Sequence, residues 1–88
     1  MGPRRFVYLI RSLRAPRHYV GLTGNVEERL AAHNRGESPH TNRYRPWQLL
    51  VTVEFAADRE AIAFERYLKS GSGAAFLKRH FLPAASPD

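Results

Sequence analysis

Two short runs rich in β-branched and aromatic residues stand either side of a five-residue link, and this pairing constrains the fold more than any other feature of the chain. Phe6 to Ser12 alternates aromatic and branched side chains, and His18 to Thr23 carries Tyr19 and Val20. Both read as strands. The link, Leu13-Arg14-Ala15-Pro16-Arg17, bars a central strand because Pro16 has no N–H for a ladder. An antiparallel hairpin follows. Side chains alternate with period 2, so Tyr8 and Tyr19 share a face only if facing residue numbers sum to an odd number.

Beyond the hairpin, Asn25 reads as a helix N-cap, with Glu28 three residues on as in a capping box. The helix spans Val26 to about Arg35 and ends at Gly36. Val26 and Leu30 form its apolar stripe, and Arg29 and His33 lie one turn apart along the edge of that stripe. A polar loop from Glu37 to Pro46 leads to a third strand, Trp47 to Phe55, with Leu49, Val51, Val53 and Phe55 expected on one face. Trp47 is expected to anchor the core or the sheet edge. Asp58 is expected to cap a second helix from Arg59 to Ser70, whose apolar face is Ala61, Ile62, Phe64 and Leu68. Gly71-Ser72-Gly73 breaks that helix, and a short third helix covers Ala74 to Phe81. At 88 residues the chain reads as one domain, residues 1–81, followed by a flexible tail, 82–88, with two prolines.

Several function classes drop out on composition. With no cysteine, the chain has no disulfide, thiolate metal site or thiol nucleophile. No apolar run approaches the roughly 20 residues of a membrane span. The basic amino end lacks the long apolar stretch of a signal peptide, so the expected compartment is the cytoplasm. The net charge is +6, and all but two of the 14 basic residues are arginine. Arginine grips phosphate through paired hydrogen bonds, which lysine does not. Arg4, Arg5, Arg11, Arg14 and Arg17 come before any acid. This charge favours a polyanion partner, nucleic acid first.

A few residues have chemistry to offer. Glu65 has Ala61, Ile62 and Leu68 as helical neighbours, so it sits at or inside an apolar face. A carboxylate there costs several kcal/mol unless it is paired or binds a cation. Two readings stand: a salt bridge to Lys69 at i+4 or to an arginine, or a metal ligand, since one carboxylate plus waters and substrate phosphate is a common way to hold Mg²⁺. Arg29, His33, Tyr8 and Tyr19 taken singly are ordinary helix and strand residues. His40, in the polar loop, is within reach of recruitment to a site. Gly71-Ser72-Gly73 is no phosphate loop, because no strand precedes it and no Gly-Lys-Ser/Thr follows. The four histidines have no zinc spacing.

Together these residues resemble a family. Phe6-Val7-Tyr8, Tyr19-Val20-Gly21, the pair Arg29 and His33, and Glu65 before Leu68-Lys69 are similar in order and spacing to the GIY-YIG nuclease superfamily. Ser38-Pro39-His40-Thr41, Tyr44-Arg45-Pro46-Trp47 and Lys69-Ser70-Gly71-Ser72-Gly73 look like its small single-domain bacterial members. The resemblance implies an α/β (α+β) fold, a three-stranded antiparallel sheet flanked by helices, and metal-dependent cleavage of DNA. It implies that Tyr8, Tyr19, Arg29 and His33 are catalytic and that Glu65 is the ligand of Mg²⁺ or Mn²⁺. Lys69 joins the amino-terminal arginines as a nucleic-acid contact. The chain departs from the pattern where repair-type members have a lysine after the second motif and this chain has Leu22. It departs again where others have an asparagine after the metal-binding helix and this chain has Gly71 to Ala74. In the implied mechanism a tyrosine accepts the proton of the attacking water, with help from Arg29, the metal or His33. Which tyrosine does so stays open. Low sequence specificity is expected, or specificity supplied by a homodimer, a larger repair assembly or DNA structure. The alternative is a nucleic-acid-binding module that keeps the fold without catalysis.

Overall fold

The computed structural model describes residues 4–83. Strand β1 (Arg5–Ser12) is central, flanked by β2 (His18–Thr23) and β3 (Trp47–Phe55) in the order β2-β1-β3, all antiparallel. The β1–β2 register pairs Tyr8 with Gly21 and Ile10 with Tyr19. Facing numbers therefore sum to 29, an odd number, and Tyr8 and Tyr19 share a face as the hairpin argument requires.

The two faces of β1 feed two cores. Val7 and Leu9 join Val20, Ala61, Leu68 and Leu77 in an apolar cluster under α2 (Asp58–Leu68) and α3 (Gly71–Phe76). Tyr8 and Ile10 join Trp47, with Tyr19, Val26, Leu30 and Tyr44 around them, under α1 (Val26–Arg35). Helix α1 matches its expected bounds. The Asn25 side chain accepts the Glu28 N–H at 3.1 Å, and Gly36 closes the helix at φ 83°, which suits glycine.

Several local expectations need correction. Leu49 does not share a face with Val51, Val53 and Phe55. The ladder shifts between Leu9 and Ile10, so Leu9 faces Val51 while Ile10 faces Leu49. That bulge turns Leu49 outward and lets Leu50 pack on the apolar cluster. Asp58 is not the cap of α2. Ala57 holds that position without a side-chain bond, and the Asp58 carboxylate stands 3.0 Å from the Arg5 guanidinium instead. Helix α2 also stops short of Ser70, because Ser70 caps α3, accepting the Gly73 N–H at 3.2 Å. Gly71 to Gly73 thus form the first turn of a helix. A Cβ at Gly73 would strike the Tyr67 carbonyl, so this glycine lets α3 close onto α2. A wide π-helical turn, Leu77–Phe81, follows where the third helix was expected to continue. Of the tail, Leu82 packs on the apolar cluster, and 84–88 lie outside the described residues. So do residues 1–3. No helix among the described residues is long and apolar enough to cross a membrane.

Candidate active site

Tyr8 is placed by its strand and by the absence of a side chain opposite. It is 2% exposed, and its ring lies across Gly21, its cross-strand partner. A Cβ at Gly21 would overlap the phenol carbon and oxygen of Tyr8. The glycine of Tyr19-Val20-Gly21 is therefore the floor on which Tyr8 rests. Tyr19, half-buried on the edge strand, stands 6.4 Å from the Tyr8 ring, centroid to centroid.

His33 enters from α1 and touches both phenols. Its ring centroid is 5.8 Å from Tyr8 and 5.3 Å from Tyr19, and it is fully buried. The Tyr8 hydroxyl is hydrogen-bonded to Nε2 at 2.8 Å. The Nδ1 atom is bonded to the Thr41 hydroxyl at 2.7 Å. Thr41 is itself buried, and its carbonyl accepts the Trp47 indole N–H at 2.8 Å. Asn34 bonds both polar backbone atoms of Trp47, at 2.6 and 3.1 Å. A chain of bonds thus runs from β3 through the loop and the imidazole to the first tyrosine. A buried polar network of this kind is stable only when its members are satisfied, and here both imidazole nitrogens are.

Burial pushes the Tyr8 phenol above its ordinary value of 10.0; Arg29 works against this, and charges at Tyr19 and Glu65 add to it. Burial also holds His33 below its ordinary 6.5, and Arg29 lowers it further. Near neutral pH both groups are therefore uncharged. Arg29, one turn before His33 on α1, is half-buried and lines a polar cleft of about 370 Å³ with Thr23, Arg35 and the carboxylates Glu28 and Glu37. Its charge is felt by both Tyr8 and His33.

Glu65 lies on α2, only 18% exposed along its side chain, with Oε2 2.7 Å from the Lys69 ammonium. The Lys69 ammonium also stands 5.4 Å from the Tyr19 ring centre. Among the described residues no three His, Asp or Glu side chains converge on one point. A hard cation that keeps its waters and takes one carboxylate needs no such cage. Glu65 fits that role: it is an oxygen donor, sheltered, and within electrostatic reach of Tyr8. Lys69, about half-exposed on a flexible stem, is its present counter-ion.

The amino-terminal arginines do not gather with this cluster. Arg4 pairs with Glu54. Arg5 faces Asp58 through charge alone, its buried Nε lacking a hydrogen bond. Arg11, three residues after Tyr8, projects from the opposite face of β1 and bonds Gln48 at 2.9 Å. Arg14 is exposed in the β1–β2 connection, and Arg17 lies over the Tyr44 ring at 4.8 Å. His40 is exposed, and Trp47 is the buried anchor it was expected to be. Thr41 appeared in the sequence only as the end of the family-like segment Ser38-Pro39-His40-Thr41 and was given no role in the site. A hydroxyl in a loop between a helix histidine and a tryptophan names no partner.

The described residues match the family model of the GIY-YIG catalytic domain over positions 4–79. The chain is also similar to a UPF0213 protein of Streptococcus pneumoniae serotype 4, with 33% identity over 70 residues, 78% of this chain and 70% of that protein. A UPF0213 protein of Bacillus licheniformis is 40% identical over 52 residues, 58% of this chain and 54% of that protein.

Proposed function

The chain belongs to the GIY-YIG catalytic domain family, a nuclease superfamily, and from that premise we propose that it is a metal-dependent endonuclease that hydrolyses DNA phosphodiester bonds with low sequence specificity. The observation that carries this reading is the convergence of Tyr8, Tyr19 and His33, within 6.4 Å of one another, where Arg29 and Glu65 also act on the Tyr8 phenol.

In this reading a water attacks phosphorus. Its proton passes to the Tyr8 oxygen as the Tyr8 proton passes to His33 Nε2, so no free phenolate has to accumulate. The raised phenol and the neutral imidazole suit that paired transfer better than a resting phenolate. Thr41 steadies the ring by accepting from Nδ1–H. Tyr19, on the open edge, donates to a phosphate oxygen, and Arg29 stabilises the charge that grows there. The leaving oxygen takes its proton from solvent. Glu65 would hold Mg²⁺ or Mn²⁺, which when bound supplies charge neutralisation at the phosphate. Lys69, with Arg11, Arg14 and Arg17, contacts the nucleic-acid backbone; Arg4 and Arg5 contribute less because they are paired. A cytoplasmic role in DNA repair or processing belongs to the same proposal.

The Lys69–Glu65 pair also favours a second reading, a binding module that keeps the fold without a metal. One assay separates the two. Purified protein is incubated with single-stranded, duplex, nicked and branched DNA, and with RNA, in Mg²⁺, Mn²⁺ or EDTA. The nuclease reading expects metal-dependent cleavage of DNA that disappears in Glu65→Ala. Binding without cleavage of any form would leave the module.

A further inference from the structure

The amino-terminal arginines are partly spent on Glu54, Asp58 and Gln48. The other end of the chain differs. From Arg66 to Pro83 there is no Asp or Glu, and there are four cations: Arg66, Lys69, Lys78 and Arg79. Among the described residues only Lys69 of these four has a carboxylate partner. The π-helical turn widens the backbone and carries Lys78, Arg79 and His80 at consecutive positions, all exposed. Such turns recur at functional sites.

Beside this turn stands Tyr67, 41% exposed. Its ring is held in place: Phe76 meets it edge-on at 5.9 Å, and Phe64 stacks at 6.3 Å. Phe76 packs in turn on His80 at 4.8 Å. The small residues Ser72 and Ala75 leave room for a cleft of about 150 Å³ lined also by Tyr67, Phe76, Arg79 and His80. A held aromatic ring beside unpaired cations suits one kind of ligand, a flat base on a charged backbone.

We propose that this cleft takes an unpaired base of the DNA strand, stacked against Tyr67 and His80, with the flanking phosphates on Arg79 and Lys78. Stacking is open to every base, so the contact adds affinity without sequence preference. A blunt duplex offers no free base face, and only the cations can use it. The proposal rests on the nuclease reading and sharpens it: the preferred substrate carries a single-stranded segment beside the cut. Tyr67 follows Glu65 by two positions on α2, about 3 Å along the axis and nearly opposite around it. The strand therefore rounds the carboxyl end of α2, where Lys69 stands.

Fluorescence anisotropy in EDTA tests this without cleavage. The probes are a labelled single-stranded oligonucleotide, a blunt duplex, and the same duplex with a single-stranded tail. Wild-type protein should bind the tailed and single-stranded probes more tightly than the blunt one. Tyr67→Ala should weaken both by about tenfold and the blunt duplex by less than about twofold. Tyr67→Phe, which keeps the ring, should bind as wild type. Arg79→Glu should weaken all three probes, because it meets phosphate. Thermal unfolding in the same buffer checks that each variant is folded. Equal losses on blunt and single-stranded probes in Tyr67→Ala, or no loss on either, overturns the proposal. A protein that keeps this single-strand preference in EDTA but cuts nothing in Mg²⁺ overturns the nuclease reading and leaves this one standing.

Discussion

One strand, β1, serves two cores of different chemistry. Its odd-numbered residues Val7 and Leu9 enter a cluster in which every buried side chain is hydrocarbon. Its even-numbered residues Tyr8, Ile10 and Ser12 turn to the side where His33, Thr41 and the Trp47 indole are buried and hydrogen-bonded. The apolar side gains its stability from burial that has no direction, so it tolerates exchanges of similar volume. The other side depends on bonds with fixed partners and angles. A strand whose side chains alternate between two faces can thus separate holding the molecule together from arranging its candidate reactive groups.

Substitutions can break or sharpen that separation. The largest expected effect is at Glu65, whose helix covers the apolar side while its charge acts on Tyr8. Glu65→Ala should abolish metal-dependent cleavage and leave the thermal midpoint close to wild type, since the ion pair it breaks with the half-exposed Lys69 contributes little. Cleavage at the wild-type rate would remove Glu65 from the site. Tyr8→Phe should lower the rate by about 10²–10⁴-fold, the usual worth of positioned proton transfer. Its cost in stability should be about 1–3 kcal/mol, from the imidazole nitrogen left without a partner.

Leu9→Ala tests the opposite case. It should cost about 2–5 kcal/mol in denaturant unfolding while the rate per folded molecule stays close to wild type. A loss of rate larger than the loss of folded protein would mean that the two cores are not separate. Thr41→Val should lower the rate by about tenfold, with Thr41→Ser restoring most of it, because the hydroxyl and not the methyl group meets His33. Equal behaviour of the two variants would make Thr41 a packing residue.

The smallest effect is the pH dependence of stability. His33 is held below 6.5 in the folded protein, so its contribution is complete above that pH. As pH falls through the folded value, the unfolded chain has already taken up a proton that the folded chain resists, and that contribution is lost. The thermal midpoint should therefore decline as pH falls below about 6.5, and less so in His33→Gln. The same slope in both proteins would place the titration elsewhere.

The hairpin and the whole of α1 were legible because each depends on neighbours in sequence: alternation, a short link, an asparagine and a glycine; the register between the strands stayed conditional until the pairing itself was seen. The two tyrosines, Arg29, His33 and Glu65 were legible as a set through the order and spacing they share with a family. The bulge at Leu50 was not, because it is a property of β3 against β1 and not of β3 alone. Asp58 looked like a cap, yet Arg5, more than fifty positions earlier, claims its carboxylate. Thr41 and the cleft beside Tyr67 are likewise meetings of distant segments.

Gly21 carries one more consequence. It brings no functional group to the site, yet no residue with a Cβ could occupy its place while Tyr8 keeps its pose. Gly21 therefore cannot change while Tyr8 stays in place. A variant library that fixes both and randomises their neighbours Leu9 and Val20 should return many folded, active members. A library that varies Gly21 alone should return almost none, although the candidate catalytic tyrosine is untouched. Here an absence of atoms constrains the site as strictly as a contact would.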